Sequence, residues 1–162
     1  MTSTNVKIEA LAAHLKGALE GVRSGVSVET RYRRATETGR NRGDQRAVFG
    51  DPIYYLEVLP ASVSPVDRDP SGTFGRRAHD LQAVLLWQYT DADTRSGSSQ
   101  VVFNQLLDAM YDAAAEGWLQ TDEGPQTMQP GEAQHQFTAL DSRGETVAHE
   151  LTFTVTLTDQ HQ

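Results

Sequence analysis

Two stretches of the chain carry apolar residues at three- and four-residue steps, the spacing that gathers them on one face of a helix. In the first, Ile8, Leu11, Ala12, Leu15, Leu19 and Val22 form the stripe. Thr4 or Asn5 caps its start and Gly21 and Gly25 stop it, which predicts a helix over residues 6–21. Gly17 inside it costs about 1 kcal/mol against alanine. In the second, Val102, Phe103, Leu106, Leu107, Met110, Tyr111 and Ala114 form the stripe. Ser98 or Ser99 caps it and Gly117 ends it, which predicts a helix over residues 100–116.

Five stretches read as strands. Val26, Val28, Thr30 and Tyr32 alternate with polar residues. Residues 53–59 begin after Pro52 and stop at Pro60. Leu81, Ala83, Leu85, Trp87 and Tyr89 alternate, as do His135, Phe137 and Ala139. The last arm places Val147, His149, Leu151, Phe153, Val155 and Leu157 on one face, and Thr146, Ala148, Glu150, Thr152, Thr154 and Thr156 on the other. Asp141, Ser142, Arg143 and Gly144 make the turn before it. Between these elements, residues 33–50, 61–77 and 118–131 are rich in glycine, proline and polar side chains and are expected to be flexible loops. The order is helix, three strands, helix, two strands. The expected fold is α+β, with two amphipathic helices packed on one face of a mostly antiparallel sheet of about five strands and a long mobile hairpin. With 162 residues, a single domain is expected.

Composition narrows the function. The net charge of −8 argues against a surface that grips nucleic acid all over, but leaves room for a local basic patch. Cysteine is absent, so disulfides and thiolate metal sites are excluded. The start lacks the pattern of a signal peptide, and no apolar run approaches the roughly 20 residues of a membrane span. A cytosolic protein with no membrane partner is expected.

The search for chemistry finds little. The chain has no GxSxG, no phosphate-binding glycine loop and no HExxH. His135 and His149 could face each other across the final hairpin, but two imidazoles fall short of a closed metal site. Asp67, Asp69 and Gly72, and Asp91 and Asp93, resemble the start of calcium loops; position twelve holds Ala78 and Val102 in place of glutamate. Asp108, Asp112 and Glu116 form a carboxylate row that reads as the solvated face of the second helix. No cofactor, metal or catalytic residue is expected.

One basic segment stands out. Arg31, Arg33, Arg34, Arg40, Arg42 and Arg46 fall within sixteen residues, and Arg76 and Arg77 lie at the base of the next loop. Guanidinium groups suit phosphate or carboxylate pairing, so the segment fits DNA backbone, an acidic protein surface, or only solvent. Trp118, just past a helix end, is the best candidate for an exposed aromatic contact.

The element order, the second helix Val102-Phe103-Asn104-Gln105-Leu106-Leu107-Asp108-Ala109-Met110, and the closing strand Val147-Ala148-His149-Glu150-Leu151-Thr152-Phe153-Thr154-Val155-Thr156-Leu157 resemble the tail terminator (tail completion, or neck) proteins of long-tailed bacteriophages. The resemblance covers most of the chain and rests on pattern, with no short diagnostic motif. It implies a non-enzymatic virion protein, assembled in the host cytoplasm. Such a protein forms a homo-hexameric ring, caps the tail tube protein and meets the head-completion proteins. A head-tail connector of the neck, and a nucleic-acid-binding accessory protein using residues 31–46, are the alternatives.

Overall fold

The structure is a computed structural model, and it describes residues 2–22, 28–30, 53–66, 76–90, 98–139 and 146–159. Helix α1, Ser3–Glu20, begins one turn earlier than the periodicity predicts. Thr2 is its cap, its hydroxyl accepting from the Asn5 N–H at 3.3 Å, where Thr4 or Asn5 was expected. Strand β1, Val28–Thr30, is short. Strands β2, Ile53–Pro65, and β3, Arg77–Thr90, form a long antiparallel hairpin. Helix α2, Ser98–Ala114, precedes β4, Trp118–Thr121, β5, Gly124–Ala139, and β6, Thr146–Asp159.

The six strands make one sheet in the order β1-β2-β3-β6-β5-β4. β1 runs parallel to β2, and every other pairing is antiparallel. The fold is α+β, and the two helices share the core that lines one face of the sheet.

Register explains the core. Leu81, Ala83 and Leu85 on β3 pair with Val155, Phe153 and Leu151 on β6, and Val58 and Leu56 on β2 pair with Ala83 and Leu85. Against this row lie Ile8, Leu11, Leu15 and Leu19 of α1 and Leu106 and Met110 of α2, all buried. Each large side chain contributes about 1.5–3 kcal/mol by leaving water. The Tyr111 ring lies 5.8 Å from that of Phe153 and fixes α2 on the sheet. Thr154 on the opposite face of β6 is exposed, as its alternation predicts. That opposite face is not wholly solvated: Glu57 and Val84, paired in register there, are both buried.

Residues 118–131, expected as a loop, are instead β4, a two-residue turn and the first half of β5. Prolines and glycines misled the reading because each occupies a place that tolerates it. Pro125 pairs only with β4, since the β5–β6 register starts at Gln126. Pro130 sits at the bulge where the register slips between Pro130 and Ala133. Gly117 (φ 94°) and Gly124 (φ 109°) turn the chain into β4 and β5 through a backbone region that favours glycine. β2 likewise runs through Pro60, where β1 no longer flanks it. Of the loop expected over 61–77, residues 61–65 and 77 are strand. The segment 33–50 lies outside the described residues.

Candidate functional site

Two places on α1 gather polar side chains. The first lies under its N-terminus. Lys7 occupies the apolar stripe, four residues before Leu11, and is fully buried. Its ammonium donates to Ser3 Oγ at 2.8 Å and to Glu123 Oε2 at 3.1 Å, and lies 3.3 Å from Asp159 Oδ1. Ser3 Oγ in turn donates to Glu123 Oε2 at 2.8 Å. The Arg77 main-chain N–H donates to Asp159 Oδ2 at 3.2 Å. The cluster thus ties α1 to the β4–β5 turn and to the ends of β3 and β6.

The electrostatics follow from that geometry. The Ser3 hydrogen bond, with help from Lys7 and against some burial, holds the Glu123 carboxyl below its usual range. Burial pushes Asp159 up, but the Arg77 N–H and Lys7 together outweigh it and the net shift is down. His79, buried beside them, is held low by desolvation first and by Lys7 second. Among the described residues, His79 Nδ1 and Gln126 Oε1 have no hydrogen-bond partner. The cation and the two carboxylates satisfy one another, so the cluster works as a latch for the helix.

The second place is a groove of about 610 Å³ between α1 and β4. Glu9, Ala13 and His14 line it from α1, and Glu116, Trp118 and Asp122 from the other side. His14 Nε2 lies 3.0 Å from the Ala113 carbonyl oxygen and 3.2 Å from Glu116 Oε2, which joins α1 to the end of α2. Trp118 is 57% exposed on the outermost strand of the sheet. Val63 and Val66 are exposed at the far end of β2, where the Val66 N–H donates to the Arg76 carbonyl at the loop end of the hairpin.

The residues singled out from sequence fall apart into groups. Arg31, Arg33, Arg34, Arg40, Arg42 and Arg46 lie outside the described residues. Arg77 is exposed and Arg76 half-buried, both at the loop end of the β2–β3 hairpin and away from Trp118 in the strand order. His135 pairs in register with Leu151 and His149 with Phe137, so the two histidines are diagonal and not opposite, about 7–8 Å apart at that offset. Asp108, Asp112 and Glu116 are exposed, as a solvated helix face requires. Among the described residues no three His, Asp or Glu side chains are placed to hold a metal. No described helix is long and apolar enough to cross a membrane.

Sequence reasoning missed the latch, although one signal was available: a lysine on the stripe, in step with Leu11, Leu15 and Leu19. It also missed the groove, whose walls lie about a hundred residues apart along the chain.

No family model matches the chain, and no curated protein is significantly similar to it. Solved structures do share its fold. One is a chain from the virion of a native gene transfer agent particle, with 14% identity and a TM-score of 0.55 over 96% of this chain and 97% of that one. Another, a chain with no functional description, has 14% identity and a TM-score of 0.52 over the whole of both.

Proposed function

We propose that this chain is a structural protein of a phage-like virion. It caps the tail tube as a ring of identical copies and joins the tube to the head-completion proteins. One observation carries the reading: the fold runs end to end with that of a virion chain, with almost nothing left over on either side. At 14% identity this likeness is one of fold, and the role is an inference from it.

The geometry supports an assembly role. Among the described residues the sheet is open, so each of its outermost strands has one side without a strand partner. Trp118 and Val63 expose apolar area of the kind that marks contacts between proteins. Lys7, Glu123 and Asp159, which a catalytic site would have to leave available, are engaged with one another. The chain needs partners more than it needs substrate.

The test is the assembled mass and its dependence on the tube. Native mass spectrometry is expected to find a species near six times 17.8 kDa, alone or with tail tube protein added. Electron microscopy is expected to show it at the head-proximal end of tails. A chain that stays monomeric and ignores tail tube protein is not a terminator; one that binds only the portal side of the neck is a connector.

A further inference from the structure

The two edges of the sheet are unlike. Among the described residues β1 and β4 are the outermost strands, five strand spacings or about 24 Å apart. At the β4 edge, the groove against α1 presents Glu9, Glu116 and Asp122 with the exposed Trp118 and no lysine or arginine. Among the described residues β4 has a strand partner on one side only, so the main-chain groups along its other side have no strand partner.

Charge is segregated along the chain in the same sense. Arg95 and Arg143 bracket a stretch without lysine or arginine, and that stretch holds seven carboxylates, Glu116 and Asp122 among them. Six of the chain's 14 basic residues fall between Arg31 and Arg46, and Arg31 follows directly on Thr30, the last residue of β1. The segment that carries the arginines therefore begins directly after Thr30, on the strand at the other side of the sheet from the carboxylates.

We propose that the α1–β4 groove receives the arginine-rich segment, residues 31–46, of a second copy of this chain. Charge decides the occupant. Two grooves set face to face would oppose carboxylate to carboxylate, whereas guanidinium groups pair with carboxylates in a fixed geometry. Joining unlike edges makes a head-to-tail contact, which repeats in one direction and closes into a ring when the rotation allows. Trp118 is the apolar anchor at its centre. This assignment rests on the ring reading above and adds which two surfaces meet.

Charge exchange between full-length chains tests it. A groove variant carries Glu9→Lys, Glu116→Lys and Asp122→Lys; an arginine variant carries Arg33→Glu, Arg34→Glu, Arg40→Glu and Arg42→Glu. Each alone is expected to weaken association at least about 100-fold in sedimentation, because like charges then face one another. Mixed in equal amounts, they are expected to restore a ring of alternating copies at the wild-type mass. Thermal melts check that both variants fold, and glutamine at the same arginines replaces any that does not, with a smaller weakening expected. If wild-type rings persist but either variant assembles normally, or the mixture fails to recover, the groove is not the docking surface and the ring reading stands. Wild-type chain that forms no ring with or without tail tube protein overturns both, including the case in which the segment fills its own groove.

Discussion

Lys7 and Glu9 stand two residues apart on α1 and meet different surroundings. Lys7 points into the stripe, loses all contact with water and is held by Ser3, Glu123 and Asp159. Glu9 faces the groove with Glu116 and Asp122, all exposed; His14 reaches Glu116, and no lysine or arginine lines that groove. Both regions gather carboxylates at the β4 side of the sheet. The difference lies in whether the charges are cancelled from within. In the latch they are, and removing a carboxylate leaves the buried Lys7 ammonium short of a partner. In the groove they remain exposed, where an isolated charge costs little and an incoming cation gains much. Convergence of charge therefore does not by itself mark a site; what marks one is charge left unmatched beside apolar area.

Four measurements break or sharpen that contrast. The largest effect is expected from Lys7→Glu, which sets a third carboxylate against Glu123 and Asp159. Urea unfolding should show a loss of about 4 kcal/mol, with Lys7→Met losing roughly half as much because the buried stem is kept. Equal losses would mean that packing, not charge, holds the helix.

Gly117→Ala comes next. No atom lies within 4 Å of the added Cβ, so the penalty is one of backbone alone, about 1–2 kcal/mol for a residue at φ 94°. Its neighbours Glu116 and Trp118 should not share that penalty. A silent Gly117→Ala would show that the entry into β4 relaxes freely.

Acid should act on the latch in two stages. The unfolded chain protonates a histidine near pH 6.5 while the fold holds His79 neutral to lower pH, so stability falls as pH drops below about 6.5. Glu123 and Asp159 are depressed in the fold, so their contribution is present above about pH 4 and is lost as pH falls through their folded values. In melts across pH, His79→Gln is expected to flatten the upper stage and leave the lower one. An unchanged upper stage would assign it elsewhere.

The smallest effect on folding belongs to the groove. Trp118→Ala and Glu9→Lys should each move unfolding by no more than about 0.5 kcal/mol, since both side chains are exposed. Their effect should appear in association instead. A large loss of stability in either would show the groove to be part of the framework.

Much of the frame was legible in the residues. The stripes over α1 and α2 and the alternation over β6 arise from local periodicity, which needs only the neighbours along the chain to express it. Residues 118–131 were not legible, because glycine and proline there satisfy turn, bulge and edge positions that only strand pairing creates. Neither was the latch, beyond the one lysine out of place, nor the groove.

The sequence by itself determined the two helices and the closing strand, which of their faces seek the core, and that arginines and carboxylates occupy different parts of the chain. The tertiary structure alone decided that Lys7 is cancelled while Glu9 is not, and that β4 ends the sheet. The physical reason is that burial and pairing are set by residues over a hundred positions apart, Lys7 with Glu123 and Asp159, and sequence spacing carries no measure of that distance.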